Sequence, residues 1–195
     1  MTHTPNRYPV HLIDVVCVAD GSRITIRPTM PQDVELLRAF FRTLSAESRY
    51  GRFMTPLREL PYALAERFTN IDYRRHLALL AEVFDEAGQE TMIGEARYVV
   101  DESDPATCEV AIAVADEWQS HGIARALLQR LEREAVASGI RRMFAETLIT
   151  NRAMQGLAAR AGYAIRASPE DTEMARLEKV LAGSATLPST EPLAA

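Results

Sequence analysis

The stretch that most limits the possible folds runs from Thr107 to Ala137. Thr107 to Ala115 reads as a strand. A short polar loop follows. Ile123 to Ala137 then places Ile123, Leu127, Leu131 and Ala135 on one apolar stripe, the spacing of a long amphipathic helix. Ser138-Gly139 closes that helix as a glycine C-cap does. Arg142 to Ile149 is again a strand. A strand that feeds through a short loop into a long helix, with a strand beyond it, calls for a sheet with helices layered on it.

The rest of the chain fits that plan. Arg23 to Arg27 alternates as a strand, and Pro28 ends it. Pro31 suits a first helical turn, and Val34, Leu37, Phe41 and Leu44 predict a helix over 31–44. A second helix is expected over 58–68, with Leu60, Leu64 and Phe68 on one face. His76 to Phe84 and Thr91 to Val100 read as a hairpin across Asp85 to Gln89. Asn151 to Ala161 predicts a helix ended by Gly162. Tyr163 to Ala167 and Glu173 to Val180 form a final pair of strands. The order β-α-α-β-β-β-α-β-α-β-β is that of a mixed α/β fold. Residues 23–181 read as one domain behind an N-terminal segment, 1–22. Residues 182–195, rich in Ser, Thr, Pro and Ala, read as a disordered tail.

Composition removes several chemistries. Of the 22 basic side chains one is a lysine, Lys179, and the rest are arginines. Lys179 has no glycine-rich neighbourhood, so phosphate-binding loops and kinase sites built on a lysine are excluded, and Schiff-base chemistry is disfavoured. A net charge of −5 argues against nucleic acid as the main partner. Cys17 and Cys108 form no metal spacing, and His3, His11, His76 and His121 no ligand pattern, so no metal is expected. No apolar stretch is long enough to span a bilayer. Met1 to Pro5 lacks the start of a signal peptide. A reduced, cytoplasmic setting is the simplest reading.

The loop between strand and long helix carries the chemistry. It reads Gln119-Ser120-His121-Gly122-Ile123-Ala124-Arg125. The first turn of a helix leaves backbone N–H groups without partners, and they carry partial positive charge. A pyrophosphate is a natural partner for them. Gly122 and Ala124 are small enough for phosphate oxygens to approach the backbone, and Arg125 adds charge. An ordinary strand–loop–helix connection would look similar when taken alone.

Two motifs in order resolve that ambiguity. Gln119-x-x-Gly122-x-Ala124 resembles the acetyl-CoA signature of the GNAT superfamily of N-acetyltransferases. Asn151 to Tyr163 resembles the same family's N-x-x-[AM]-x-x-L-x-x-[KR]-x-G-[FY] helix. The similarity covers about Arg23 to Leu181. Upstream, Tyr8-Pro9, Ala19 to Pro28 and Leu44 to Phe53 are similar to the GNAT domains of bacterial protein-lysine acetyltransferases. Those domains often come fused to an acyl-CoA-synthetase-like or cyclic-nucleotide-binding module. A length of 195 residues leaves no room for either, so that input is expected to be absent or to reside elsewhere.

The resemblance implies the GNAT acyltransferase fold, a central and mostly antiparallel sheet flanked by helices. It implies acetyl-CoA as co-substrate and direct transfer to a primary amine, whether of a protein lysine or of a small molecule. A non-catalytic acyl-CoA sensor is the reading of a different class. Glu109, in Cys108-Glu109-Val110-Ala111, is implied to be the general base. Ile112 and Val114 are the implied backbone contacts to the pantetheine arm, with Asn151 as a further contact. Asn151 equally suits a helix N-cap. Gln119, Ser120, His121, Gly122, Ile123, Ala124 and Arg125 complete the cofactor set.

Ser48, Arg49, Tyr50 and Arg52 follow the first helix, where this fold shapes the acceptor site. A polar loop is the plainer reading of that stretch. Many relatives have a tyrosine seven residues after the asparagine as general acid, and here that position is Ala158. Tyr163 matches an aromatic that is usually core. Cys108 has no histidine beside it and reads as a small buried side chain rather than a nucleophile. A free edge strand in the C-terminal pair would allow a homodimer.

Overall fold

The computed structural model describes residues 7–18, 21–168 and 171–181. The tail 182–195, read as disordered from its composition, lies outside them. Eight strands form one sheet, in the order β1-β2-β3-β4-β5-β6-β8-β7. They are β1 (Asp14–Cys17), β2 (Arg23–Pro28), β3 (His76–Phe84), β4 (Glu90–Val100), β5 (Thr107–Val114), β6 (Arg142–Leu148), β7 (Ala164–Ala167) and β8 (Met174–Val180). Neighbours run antiparallel except β5 and β6, which are parallel. The mixed fold expected from the sequence, a mostly antiparallel sheet between helices, is the one observed.

Among the described residues, five α-helices accompany the sheet: α1 (Val34–Thr43), α2 (Ala46–Phe53), α3 (Tyr62–Thr69), α4 (Ile123–Ala137) and α5 (Arg152–Arg160). The stripe Ile123, Leu127, Leu131 and Ala135 of α4 is buried on the inward side chains of β2 to β6, including Ile24, Leu79, Tyr98, Val110 and Met143. Leu157 and Ala158 of α5 join that layer. Gly94 suits the close approach of α4 there. A Cβ on it would stand 3.3 Å from Ile123 Cγ2 and 3.5 Å from Leu127 Cδ1, so any larger residue would make α4 or its side chains give by a few tenths of an ångström. Burying four such side chains stabilises the fold by about 1.5–3 kcal/mol for each large one.

The opposite face is covered by α1 and α3. Val34, Leu37, Phe40 and Phe41 pack with Leu60, Ala65, Leu80 and Met92. Two elements depart from the sequence reading. Ala46 to Phe53, read as a polar loop, is a helix capped by Ser45, whose hydroxyl accepts from Ser48 N at 3.1 Å. It has no fully buried residue, so it shows no apolar periodicity to read. Asp14 to Cys17, in the segment before Arg23, adds an edge strand against β2. Three of its four side chains are exposed, which leaves no alternation signal.

Candidate active site

The parallel pair β5 and β6 holds together for only three steps. Thr107 faces Arg142, Cys108 faces Met143, and Glu109 faces Phe144. β5 then follows β4 as far as Val114, while β6 follows β8 to Leu148. Val110 to Val114 and Ala145 to Leu148 therefore have no strand partner on their facing edges. Backbone N–H and C=O groups in the middle of a sheet need partners. This wedge offers them to an extended ligand. Ile112 and Val114 lie on its β5 wall.

Both loops that leave the wedge run into helices. After β5, Ser120 (φ 66°) and Gly122 (φ 87°) take left-handed backbone conformations. A Cβ on Gly122 would meet nothing within 4 Å, so the space above the turn is open. Ala126 is the first residue of α4 whose amide bonds back to this turn, to Gly122 O at 3.0 Å. The amides of Ile123, Ala124 and Arg125 precede it and have no carbonyl within the helix to bond. Ile123 is buried and anchors the turn, while Arg125 is exposed. The arrangement suits a phosphate.

Other loop side chains turn inward. Gln119 Nε2 lies 3.4 Å from both Val114 O and Ser48 Oγ. His121 Nδ1 lies 2.7 Å from Gln119 O, and its ring stands 5.8 Å from that of Trp118. After β6, Asn151 caps α5, its Oδ1 accepting from Met154 N at 3.0 Å. Its Nδ2 lies beside α2, 3.3 Å from where a Cβ on Gly51 would stand. The capping role is thus seen directly.

Strand alternation sets Glu109, Ala111 and Ala113 on the face away from α4. On the neighbouring strands that face carries Val99, Arg97 and Glu95, which pair in register with them, and Phe144 and Glu146 on β6. Glu109 is exposed at the point where the strands part. Partial desolvation raises its carboxyl above the ordinary range, and the Glu146 carboxylate raises it further. Arg52 and Arg176 oppose both effects. Arg176 sits 3.8 Å over the Phe144 ring and 3.3 Å from Glu146 Oε1. Helix α2 reaches over this part of the sheet, and Val99, Glu109 and Glu146 stay exposed.

The four α2 residues singled out from the sequence diverge. Ser48 turns to the loop after β5, donating to Asp116 Oδ1 at 2.9 Å. Arg49 lies over Phe41, 5.6 Å from the ring centre. Tyr50 is exposed. Arg52 lies over Phe53 at 4.8 Å, and its Nη2 is 3.5 Å from Glu95 Oε2. Arg97 pairs with Glu95 and lies 3.1 Å from His76 Nε2. Asp116, Glu95, Glu146 and Arg176 were not among the residues the sequence singled out. Strand register places Glu146 and Arg176, and the partners of Asp116 lie far away in the chain.

Three further positions are explained by burial. Cys108 is fully buried on the α4 face, opposite Glu109, and burial pushes its thiol up to about 12. It is core, and no thiolate forms there near neutral pH. Ala158 is buried and has nothing to ionise. Tyr163 is also core, beside the single lysine, and burial raises its phenol.

The comparisons agree with this geometry. Residues 38–163 match the family described as the Acetyltransferase (GNAT) family. The Pseudomonas aeruginosa acetyltransferase PA5475 is 31% identical over 153 residues, covering 78% of this chain and 81% of that protein. The acetyltransferase Pat of Mycolicibacterium smegmatis is 32% identical over 147 residues, 75% of this chain but 43% of Pat. Among solved structures, the GNAT domain of S. lividans PAT superposes with a TM-score of 0.81 at 33% identity, covering 90% of this chain and 100% of that domain. A GNAT-superfamily phosphinothricin acetyltransferase from Sinorhizobium meliloti, solved in complex with AcCoA, shares the fold with a TM-score of 0.63 at 23% identity, covering 86% of this chain and 94% of that one. Among the described residues no helix is long and apolar enough to cross a membrane. By sequence and by fold, the chain belongs to the GNAT family of N-acetyltransferases.

Proposed function

We propose that the chain moves an acetyl group from acetyl-CoA directly to the side-chain amine of a protein lysine. The observation that carries this reading is the position of Glu109, a carboxylate on the parting strand with an open sheet surface around it. An open face suits a side chain presented by a macromolecule, whereas a small amine needs more enclosure than this surface supplies. Likeness to the GNAT domain of S. lividans PAT over that domain's whole length supports acetyl transfer as the chemistry.

The residues present fit acetyl-CoA. The turn Gln119 to Arg125 offers the first-turn amides of α4, an arginine and open space over Gly122, and it would hold the pyrophosphate. The backbone of Ile112 and Val114, which has no strand partner on the wedge side, would bond the pantetheine arm, with Asn151 Nδ2 on the opposite wall. When bound, acetyl-CoA supplies the acetyl group as a thioester. The chain does the rest. A lysine amine is protonated near neutral pH and must lose that proton before it attacks the acyl carbon. Glu109 accepts the proton, and its raised pKa narrows the gap between donor and acceptor. As the new C–N bond forms, the nitrogen gives up a second proton to solvent, the C–S bond breaks and the thiolate leaves. Ala158 has no proton to give, so solvent protonates the leaving group. Of the four residues on α2, Ser48 and Arg52 share the face toward the acceptor side, Tyr50 is exposed, and Arg49 lies over Phe41.

Both described cysteines are free thiols, in keeping with the cytoplasm as the site of action. The exposed edge strand β7 is where a second copy would pair. The deciding experiment measures coenzyme A release with acetyl-CoA and a panel of lysine peptides and small amines. Turnover is expected with the peptides. Turnover confined to small amines would replace the acceptor, and acetyl-CoA binding with no turnover on any acceptor would favour a sensor. Glu109→Gln should lower kcat by about 10²–10⁴ with acetyl-CoA affinity retained. An unchanged rate across pH would remove Glu109 from the mechanism.

A further inference from the structure

Asp116 lies in the loop after β5, yet all three of its hydrogen bonds to side chain or backbone elsewhere in the chain go to the start of α2. Oδ2 accepts from Ser45 N at 2.8 Å. Oδ1 accepts from Ser45 Oγ at 2.8 Å and from Ser48 Oγ at 2.9 Å. Ser45 Oγ in turn caps the helix through Ser48 N. Gln119 Nε2, from the next turn of the same loop, lies 3.4 Å from Ser48 Oγ. The donors and acceptors are consistent throughout, since each hydroxyl gives its proton to the carboxylate and receives an N–H. Desolvation works against the charge on Asp116, but the bonds from the Ser45 backbone and the two hydroxyls outweigh it and hold the carboxyl below its usual range.

Helix α2 depends on such a tie. It has eight residues, too few to hold a helix alone, and none is fully buried. Its far end is fixed differently, by Phe53 against Phe41 and Phe68 with ring centres 5.4 and 6.2 Å away. Between the two ends, Gly51 passes close to Asn151. The helix thus bridges the two loops that leave the wedge, one leading to α4 and the other to α5.

We propose that Asp116 is a positioning residue that latches the acceptor-side helix α2 to the pyrophosphate turn, so that occupancy of the turn sets the order of the acceptor wall. The inference rests on the acetyl-CoA reading above for its second half only. The latch itself is a property of the free protein. Once the turn is filled, its backbone is held. Through Asp116 and Gln119 the N-terminus of α2 is then held too, and the face carrying Ser48 and Arg52 settles before the amine arrives. Breaking the latch removes bonds to a charged group and should speed local opening of α2 by roughly tenfold.

Hydrogen–deuterium exchange tests both halves without knowledge of the acceptor. In the unmodified protein, acetyl-CoA should slow exchange in the turn 120–126 and in α2 together. In Asp116→Ala the turn should keep its protection while α2 loses it, and α2 should exchange faster even without ligand. A purely structural role would move the ligand-free rate and leave the acetyl-CoA-dependent protection of α2 intact, and that result overturns the coupling. Ser45→Ala with Ser48→Ala removes two of the three bonds from the helix side. It should weaken the coupling in part, and an unchanged α2 in that variant also overturns the latch. If acetyl-CoA protects nothing in the unmodified protein, the functional reading fails by itself. The latch then stands or falls on the ligand-free exchange of α2 in Asp116→Ala.

Discussion

Under α4 and α5, the sheet presents Ile24, Leu79, Tyr98, Val110 and Met143 to Leu127, Leu131 and Leu157. Under α1 to α3, it buries Arg27, Glu82, Glu95 and Arg97, with Asp33 from the turn before α1, beside Leu37, Phe41 and Met92. Every fully buried charged side chain among the described residues belongs to this second face. One face is packed by area alone. The other mixes ionic pairs into its core and then opens toward Glu109.

The second face itself contains two kinds of cluster. Arg27 grips Asp33 with both Nη atoms, at 2.7 and 3.0 Å, and Glu82 with Nε at 3.1 and 3.2 Å. Arg52 and Arg97, closer to the acceptor side, leave Arg52 Nε and Nη2 and Arg97 Nη2 without hydrogen bonds. An unmet buried donor costs about 1–3 kcal/mol. A saturated network fixes α1 to the sheet. The unsaturated one lies under the helix that lines the acceptor side, where adaptability is useful.

The contrast can be broken by substitution. The largest effect on stability is expected on the apolar face. Leu131→Ala should cost about 2–5 kcal/mol in urea unfolding, with kcat per folded molecule unchanged. A large loss of kcat there would mean that the two faces are not independent. On the working face, Glu146→Gln removes a charge that raises the pKa of Glu109. The acidic limb of the kcat/KM–pH profile should move to lower pH, and a shift to higher pH would contradict the assigned neighbourhood.

The smallest effect concerns His76. Desolvation, then the Arg97 guanidinium, lower its pKa from 6.5 to about 4. The folded state therefore favours the neutral ring, and the unfolded state takes up the proton first. Stability should fall as pH drops from about 6.5 toward 4. Tm measured across that range should decline less steeply in His76→Gln, and parallel curves would show that His76 contributes nothing.

Much of this was legible in the residues. The stripe of α4, the turn at Gly122 and the cap at Asn151 are local signals, and each fell where its spacing indicated. The alternation that put Glu109 with Ala111 and Ala113 was equally local. What stayed hidden depends on distance in the chain. α2 hides no residue completely and holds Gly51 in its middle, so periodicity passes over it. The wedge arises because β5 and β6 pair for three steps and then choose other partners, which no single strand records. Asp116 finds Ser45 71 positions away. Glu95 and Arg97 sit inside a strand otherwise read as apolar.

The single lysine has a consequence for the lifetime of the protein. Lys179 Nζ lies 2.6 Å from Glu132 Oε2 and 5.5 Å from the centre of the Tyr163 ring, with its side chain 25% exposed. An enzyme that handles a thioester is exposed to an acylating reagent for as long as it works. Guanidinium groups do not react with such reagents under neutral conditions, and the one amine side chain is held against Glu132. The surface therefore offers the reagent few amines, with the exposed Cys17 thiol as the remaining side-chain nucleophile, and the catalyst should collect fewer stable amide adducts than a lysine-rich protein beside it.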